Sequence, residues 1–210
     1  MSNLLQQFSD DLATVGERVL RSLVQVRNGR RGAGAGTIWQ ADGLIVTNAH
    51  VVDGIMEGRT GGREPLSVLL PDGRELPARV VARDPAHDLA ALRVEAQGLP
   101  TIALGDSQQL QSGQIVRCLG FPWGVTGGAT SGVVIGVGAS LPEVREPTQE
   151  WIAASLHLRP GHSGGPMVDA QGQLVGINTM MNGPDVGVAV PVHVAKAFVQ
   201  QAMAQAYVRV

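Results

Sequence analysis

The first apolar residues of the chain fall three and four positions apart. Leu4, Leu5, Phe8, Leu12, Val15, Val19, Leu20 and Leu23 share one stripe, a spacing that predicts an amphipathic helix over residues 3–21. From Ser22 the period shortens. Brief runs rich in valine, isoleucine and leucine, separated by glycine-containing turns, occur at 23–26, 36–39, 44–47, 66–70, 75–81 and 90–94, with one helical turn expected over 49–54. A second series follows at 115–120, 130–137, 151–153, 167–168, 174–179 and 187–190. Each series reads as a meander of short strands of the kind that closes into a barrel. Pro191 then precedes a stretch rich in alanine and glutamine that predicts a helix over 192–206. The polar stretch 99–112 separates the two series. The expected organisation is therefore a helix over 1–21, a first barrel over 22–105, and a second barrel with a closing helix over 106–210.

Composition narrows the field. The 210 residues suffice for two small barrels sharing a cleft, and 44% hydrophobic content is ordinary for a globular chain. A formal net charge of −2 argues against a nucleic-acid surface. The one dense basic run, Arg27 to Arg31, contains Asn-Gly and reads as a solvated hairpin turn. Cys118 is the sole cysteine, so packing rather than an internal disulfide must hold the fold, and its apolar setting reads as a core thiol. The segment from Met1 to Leu23 lacks the pattern of a signal peptide, and no run is long enough to span a membrane; both point to a cytoplasmic location, with a trimmed leader as the alternative. The five histidines match no metal-ligand spacing, so no metal or other cofactor is expected.

The chemistry is concentrated in Gly161-His162-Ser163-Gly164-Gly165-Pro166. Glycines around a serine let the backbone fold back so that several N–H groups converge, which suits an oxyanion forming as the serine attacks a carbonyl. A serine hydroxyl needs a base, and the base needs an orienting group. His50, in Thr47-Asn48-Ala49-His50-Val51-Val52, and Asp88, in His87-Asp88-Leu89-Ala90, supply these in the chain order His, Asp, Ser. Asp84 and Asp106 compete with Asp88, but Asp84-Pro85 reads as a turn and Gly105-Asp106-Ser107 as a loop. His162 adjoins the serine, yet neighbours in a tight turn point apart. His87 is expected at a strand edge, and His193 at a helix start as a surface or capping residue.

These blocks, with Gly34-Ala35-Gly36-Thr37-Ile38, Leu104-Gly105-Asp106-Ser107, Thr130-Ser131-Gly132-Val133-Val134 and Leu174-Val175-Gly176-Ile177-Asn178-Thr179, run in order along nearly the whole chain. They resemble trypsin-like serine proteases, and among these the HtrA/Deg group. The resemblance implies an all-β, chymotrypsin-like fold of two six-stranded antiparallel barrels flanked by the two helices. It implies catalysis by His50, Asp88 and Ser163, with the N–H groups of Gly161 and Ser163 as the oxyanion hole. It also implies a substrate pocket formed by His157, Leu158, Met181, Gly187 and Val188. No acid stands at His157, so a small or medium aliphatic residue is expected before the cleaved bond. Few residues follow the last helix, so no PDZ domain is expected.

The implied function is a serine endopeptidase acting on unfolded or misfolded protein. The alternative is a binding or chaperone-like module that keeps the fold but rarely cleaves. An esterase using the same serine is disfavoured, since an α/β-hydrolase needs alternating helices. The apolar stripe of the first helix either packs on its own barrel or joins copies of the chain, and HtrA relatives suggest a homotrimer.

Overall fold

The computed structural model describes residues 2–29, 33–53, 66–139, 141 and 149–208. Arg30 and Arg31 of the basic run, and Gly54 at the end of the predicted helical turn, lie outside them. The strands are β1 (Leu23–Asn28), β2 (Ala33–Gln40), β3 (Leu44–Thr47), β4 (Leu66–Leu69), β5 (Glu75–Asp84), β6 (Leu89–Val94), β7 (Ile115–Gly120), β8 (Gly128–Gly138), β9 (Trp151–Ser155), β10 (Pro166–Val168), β11 (Leu174–Met181) and β12 (Val186–Pro191). Helices α1 (Ser2–Leu20) and α2 (Val192–Val208) stand at the two ends. Strands β1 to β6 close one antiparallel barrel and β7 to β12 another. The all-β, two-barrel expectation holds.

Alternation along the strands explains why both barrels have a core and also share one. In β6, Ala90, Leu92 and Val94 fill the first barrel, while Leu89 and Ala91 face outward into a second apolar layer. Leu44 and Val46 of β3 join that layer, whereas Ile45 points inward. The layer also takes in Val168, Leu174 and Val190 of the second barrel and Ala195, Phe198 and Val199 of α2. β3 and β6 are thus apolar on both faces, a pattern that periodicity alone could not assign to one barrel or to their junction.

The connection between barrels belongs partly to the second. Leu104 bridges Leu174 in parallel, and Gly105 N–H donates to the Leu174 carbonyl at 2.8 Å. Helix α1 divides in two. Its last turns bury Gly16 and Val19, and the Arg117 guanidinium reaches the Leu12 carbonyl, so this half packs on the second barrel. Leu4, Leu5 and Phe8 remain 72%, 75% and 49% exposed. Cys118 is fully buried, and burial pushes its thiol pKa far up, in keeping with a core role.

Across one end of the second barrel, neighbouring strands run in the order β7, β10, β11, β12. The loop 158–165 enters β10 at that end, β7 leaves from it, and β11 and β12 turn there. This order sets the layout of the site.

Candidate active site

His50 opens a short 3-10 turn, His50–Val52, directly after β3. Its position is set by buried Thr47, whose hydroxyl donates to the Ala35 carbonyl at 2.7 Å. Asp88 closes the turn from β5 into β6 with φ 51, a left-handed conformation that aspartate tolerates better than most residues. Asn48 Nδ2 donates to the Asp88 carbonyl at 2.9 Å and holds that turn. The imidazole Nδ1 of His50 lies 2.8 Å from Asp88 Oδ2 and 3.0 Å from Oδ1, while the His50 backbone N–H donates to Oδ1 at 3.0 Å.

Ser163 sits in the loop before β10. Gly161 has φ 103 and Gly164 φ 81. A Cβ on Gly164 would stand 2.2 Å from both the Ala35 carbonyl oxygen and Thr47 Oγ1, so only glycine fits there. Hydrogen bonds pin the loop to both barrels: Ala35 N–H donates to the Ser163 carbonyl at 2.8 Å, and Gly164 N–H to the Asn178 carbonyl at 2.8 Å. Among the described residues, the N–H groups of Gly161 and Ser163 have no hydrogen-bond acceptor, while His162 N–H between them donates to the Arg159 carbonyl at 2.9 Å.

Thr179 joins the pieces, a role that motif reading missed. The β11–β12 register shifts between Asn178 and Met180, which leaves Thr179 without a ladder partner. Its hydroxyl donates to Asp88 Oδ2, and its carbonyl accepts the Ser163 hydroxyl at 3.0 Å. Bulges of this kind turn a residue out of the ladder toward a site. No hydrogen bond joins Ser163 Oγ to His50 among the described residues; the serine proton is aimed at the Thr179 carbonyl.

The electrostatics follow from these contacts. The Asp88 hydrogen bond raises the His50 pKa, and burial opposes this more weakly. Burial pushes the Asp88 pKa up, but the hydrogen bonds from His50 and Thr179, with the charge of His50, outweigh it and lower the carboxyl pKa. His162 is 1% exposed, and burial lowers its pKa, which favours the neutral ring beside the serine.

Of the residues expected to line the pocket, Leu158, Met181 and Gly187 converge, and His157 does not join them. Leu158 N–H lies 3.0 Å from Met181 Sδ, and a Cβ on Gly187 would meet Leu158 Cγ at 3.1 Å. Leu156, which was not anticipated, is closer still: its Cδ1 would lie 2.4 Å from that Cβ. His157 is exposed and turns to the Pro184 carbonyl, 3.2 Å from Nδ1. Val188 does not join them. Alternation along β12 sends it into the layer that includes Ile177 and Phe198, where it is 1% exposed. His193 is likewise not a plain surface residue: Nδ1 is 2.8 Å from Ser107 Oγ, and Nε2 is 2.9 Å from Glu150 Oε2. His87 pairs with Asp84, away from the serine. Among the described residues, no group of three or more histidine, cysteine or acidic side chains is arranged to hold a metal.

A sequence profile of the trypsin-like peptidase domain matches residues 34–177, which contain His50, Asp88 and Ser163. The chain belongs to the trypsin-like peptidase domain family. A protein of Halomonas elongata named a probable periplasmic serine endoprotease, DegP-like, is 40% identical over 171 residues, covering 79% of this chain and 34% of the relative. A protein of the same name from Marinomonas is 38% identical, covering 82% and 36%. The putative serine protease HhoB of Synechocystis is 34% identical, covering 79% and 39%. The resemblance of this trypsin-like chain to the HtrA/Deg group therefore holds, although it spans little more than a third of these relatives' length.

The expected cytoplasmic location is overturned. Several relatives that match most of this trypsin-like domain are named periplasmic, which points away from the cytoplasm. The expectation rested on the absence of a leader pattern before Leu23. Those residues form α1, whose last turns pack on the second barrel, and a segment built into the fold carries no information about export. Among the described residues, no helix is long and apolar enough to cross a membrane.

Proposed function

We propose that the chain is a serine endopeptidase that cuts unfolded or misfolded protein segments in the periplasm. The observation that carries this reading is the network in which Asp88 binds His50 and Thr179, and Thr179 binds Ser163. In the proposed reaction Ser163 rotates from the Thr179 carbonyl to His50 Nε2, loses its proton to that nitrogen, and attacks the peptide carbonyl. Asp88 keeps Nδ1 protonated and stabilises the imidazolium. The N–H groups of Gly161 and Ser163 receive the oxyanion. His50 then protonates the leaving amine, and water repeats the sequence on the acyl-enzyme.

The pocket reading is a small or medium aliphatic residue before the cleaved bond. Leu156, Leu158 and Met181 crowd the strip over Gly187 and leave room for little more. We further propose a homotrimer held through the outer half of α1, supported by exposed Leu4, Leu5 and Phe8.

A binding module that rarely cleaves is the second reading, favoured by the engagement of the Ser163 hydroxyl with Thr179. A fluorophosphonate probe and casein digestion, each compared between the unmodified chain and Ser163→Ala, separate the two. Labelling and cleavage that both vanish in the variant support the peptidase. An unmodified chain that neither labels nor cleaves supports the binding module.

A further inference from the structure

One buried titratable group beside the serine has no part in the proposed reaction. His162 stands between the two candidate oxyanion donors, and its ring folds back on Arg159. Nδ1 lies 3.1 Å from the Arg159 backbone nitrogen and 3.1 Å from the Arg159 carbonyl oxygen. That carbonyl already accepts the His162 backbone N–H at 2.9 Å. An unprotonated Nδ1 therefore suits the Arg159 N–H, and the pair of bonds closes the turn 159–162. The peptide that follows Gly161 is fixed from the other side, since Phe121 N–H donates to the Gly161 carbonyl at 2.8 Å. The packing there is close: a Cβ on Gly120 would stand 2.7 Å from His162 Cα, and one on Gly161 2.3 Å from the Phe121 carbonyl oxygen.

A proton on Nδ1 reverses these roles. The nitrogen becomes a donor, Arg159 N–H loses its acceptor, and the new N–H competes with the His162 backbone for the one Arg159 carbonyl. The surroundings oppose the charge. Burial, and then the fields of Arg159 and His157, lower the pKa, and the backbone of Arg159 and Gly128 offsets this only in part. Gly120, Phe121 and Gly128, which meet the residue from β7 and β8, carry no titratable side chain. We propose that His162 is a positioning residue: through Nδ1 it holds the turn that presents the Gly161 and Ser163 N–H groups to the oxyanion, and its protonation releases that turn, an acid-sensitive control separate from His50. This inference rests on the peptidase reading.

The test is the pH dependence of casein cleavage and of fluorophosphonate labelling at Ser163, for the full chain, His162→Asn and His162→Leu, with circular dichroism reporting the folded fraction at each pH. An asparagine amide oxygen can take the place of Nδ1 as acceptor but does not titrate; leucine offers no acceptor. On the acid side, kcat/KM of the unmodified chain should fall about 10-fold per pH unit while His50 alone titrates, and about 100-fold per unit once His162 joins it. His162→Asn should hold the shallower slope throughout, and at about pH 8 it should recover most of the rate that His162→Leu loses, a loss of about tenfold or more in kcat. A single shallow slope in the unmodified chain, or a steep one that survives in His162→Asn, overturns the proposal. So does a steep limb that merely follows the loss of folded protein. Where His162→Leu fails to fold, the two slopes still decide. Absence of both labelling and cutting at every pH sinks the peptidase reading, and this inference with it.

Discussion

The hydroxyl of Thr179 donates to Oδ2 of Asp88, a contact between residues 91 positions apart that links the last strands of the second barrel to a turn of the first. The same threonine accepts the Ser163 hydroxyl on its carbonyl. One residue therefore supports the carboxylate and holds the serine at rest.

Thr179→Val should remove the donor and leave the carbonyl in place. Asp88 then depends on His50 alone, and the loss of a hydrogen bond to a charged group corresponds to about 10- to 100-fold in rate. Thr179→Ser should restore most of it. Steady-state kinetics on an unfolded substrate check this; a valine variant at full rate would mean that the contact has no part in the reaction.

Activity should rise with pH as His50 loses its proton. The Asp88 hydrogen bond raises the His50 pKa, so the midpoint should lie above the ordinary value of 6.5. His50→Ala should be about as damaging as Ser163→Ala, and the double variant scarcely worse, because members of one catalytic unit do not act additively. A kcat/KM profile that is flat from about pH 5 to about pH 8 would remove His50 as the base.

Stability should respond to His162 in the opposite sense to His50. Burial lowers the His162 pKa in the folded chain, so the unfolded chain binds more protons as pH falls below 6.5. Its contribution is thus present at neutral pH and lost progressively below 6.5, toward the folded-state value. For His50 the folded pKa is raised, and its contribution is present below 6.5 and lost as pH rises through that higher value. His162→Asn should therefore shrink the difference in Tm between about pH 5 and about pH 7.5. An unchanged difference would place the acid sensitivity elsewhere.

Assembly should depend on the outer half of α1. Fully burying a large apolar side chain such as Leu4, Leu5 or Phe8 contributes roughly 1.5–3 kcal/mol, enough collectively to hold copies together. Light scattering should show a trimer for the full chain and a monomer for a chain lacking residues 1–20. A full-length monomer at micromolar concentration would end the trimer reading, and a truncated trimer would move the interface elsewhere.

Local features decided the elements and the candidate reacting residues. The period-2 runs and glycine turns mark the strands, and the stripe from Leu4 to Leu23 marks α1, because backbone geometry and side-chain spacing act over a few residues. The run Gly161 to Pro166 announces its chemistry for the same reason: Gly161 and Gly164 adopt positive φ in the structure, as a tight loop of converging N–H groups requires. What the tertiary structure alone decided are matters of register and distance. Thr179 acquires its role from a shift in the β11–β12 ladder, and His193 its partners from the packing of α2 against residues far behind it in sequence. Val188 leaves the pocket because a strand sends alternate side chains to opposite faces, and only pairing shows which face meets the serine. Short-range spacing says what a residue can be; which neighbours complete it depends on strand pairings that close over long loops, and these are not written at any one position.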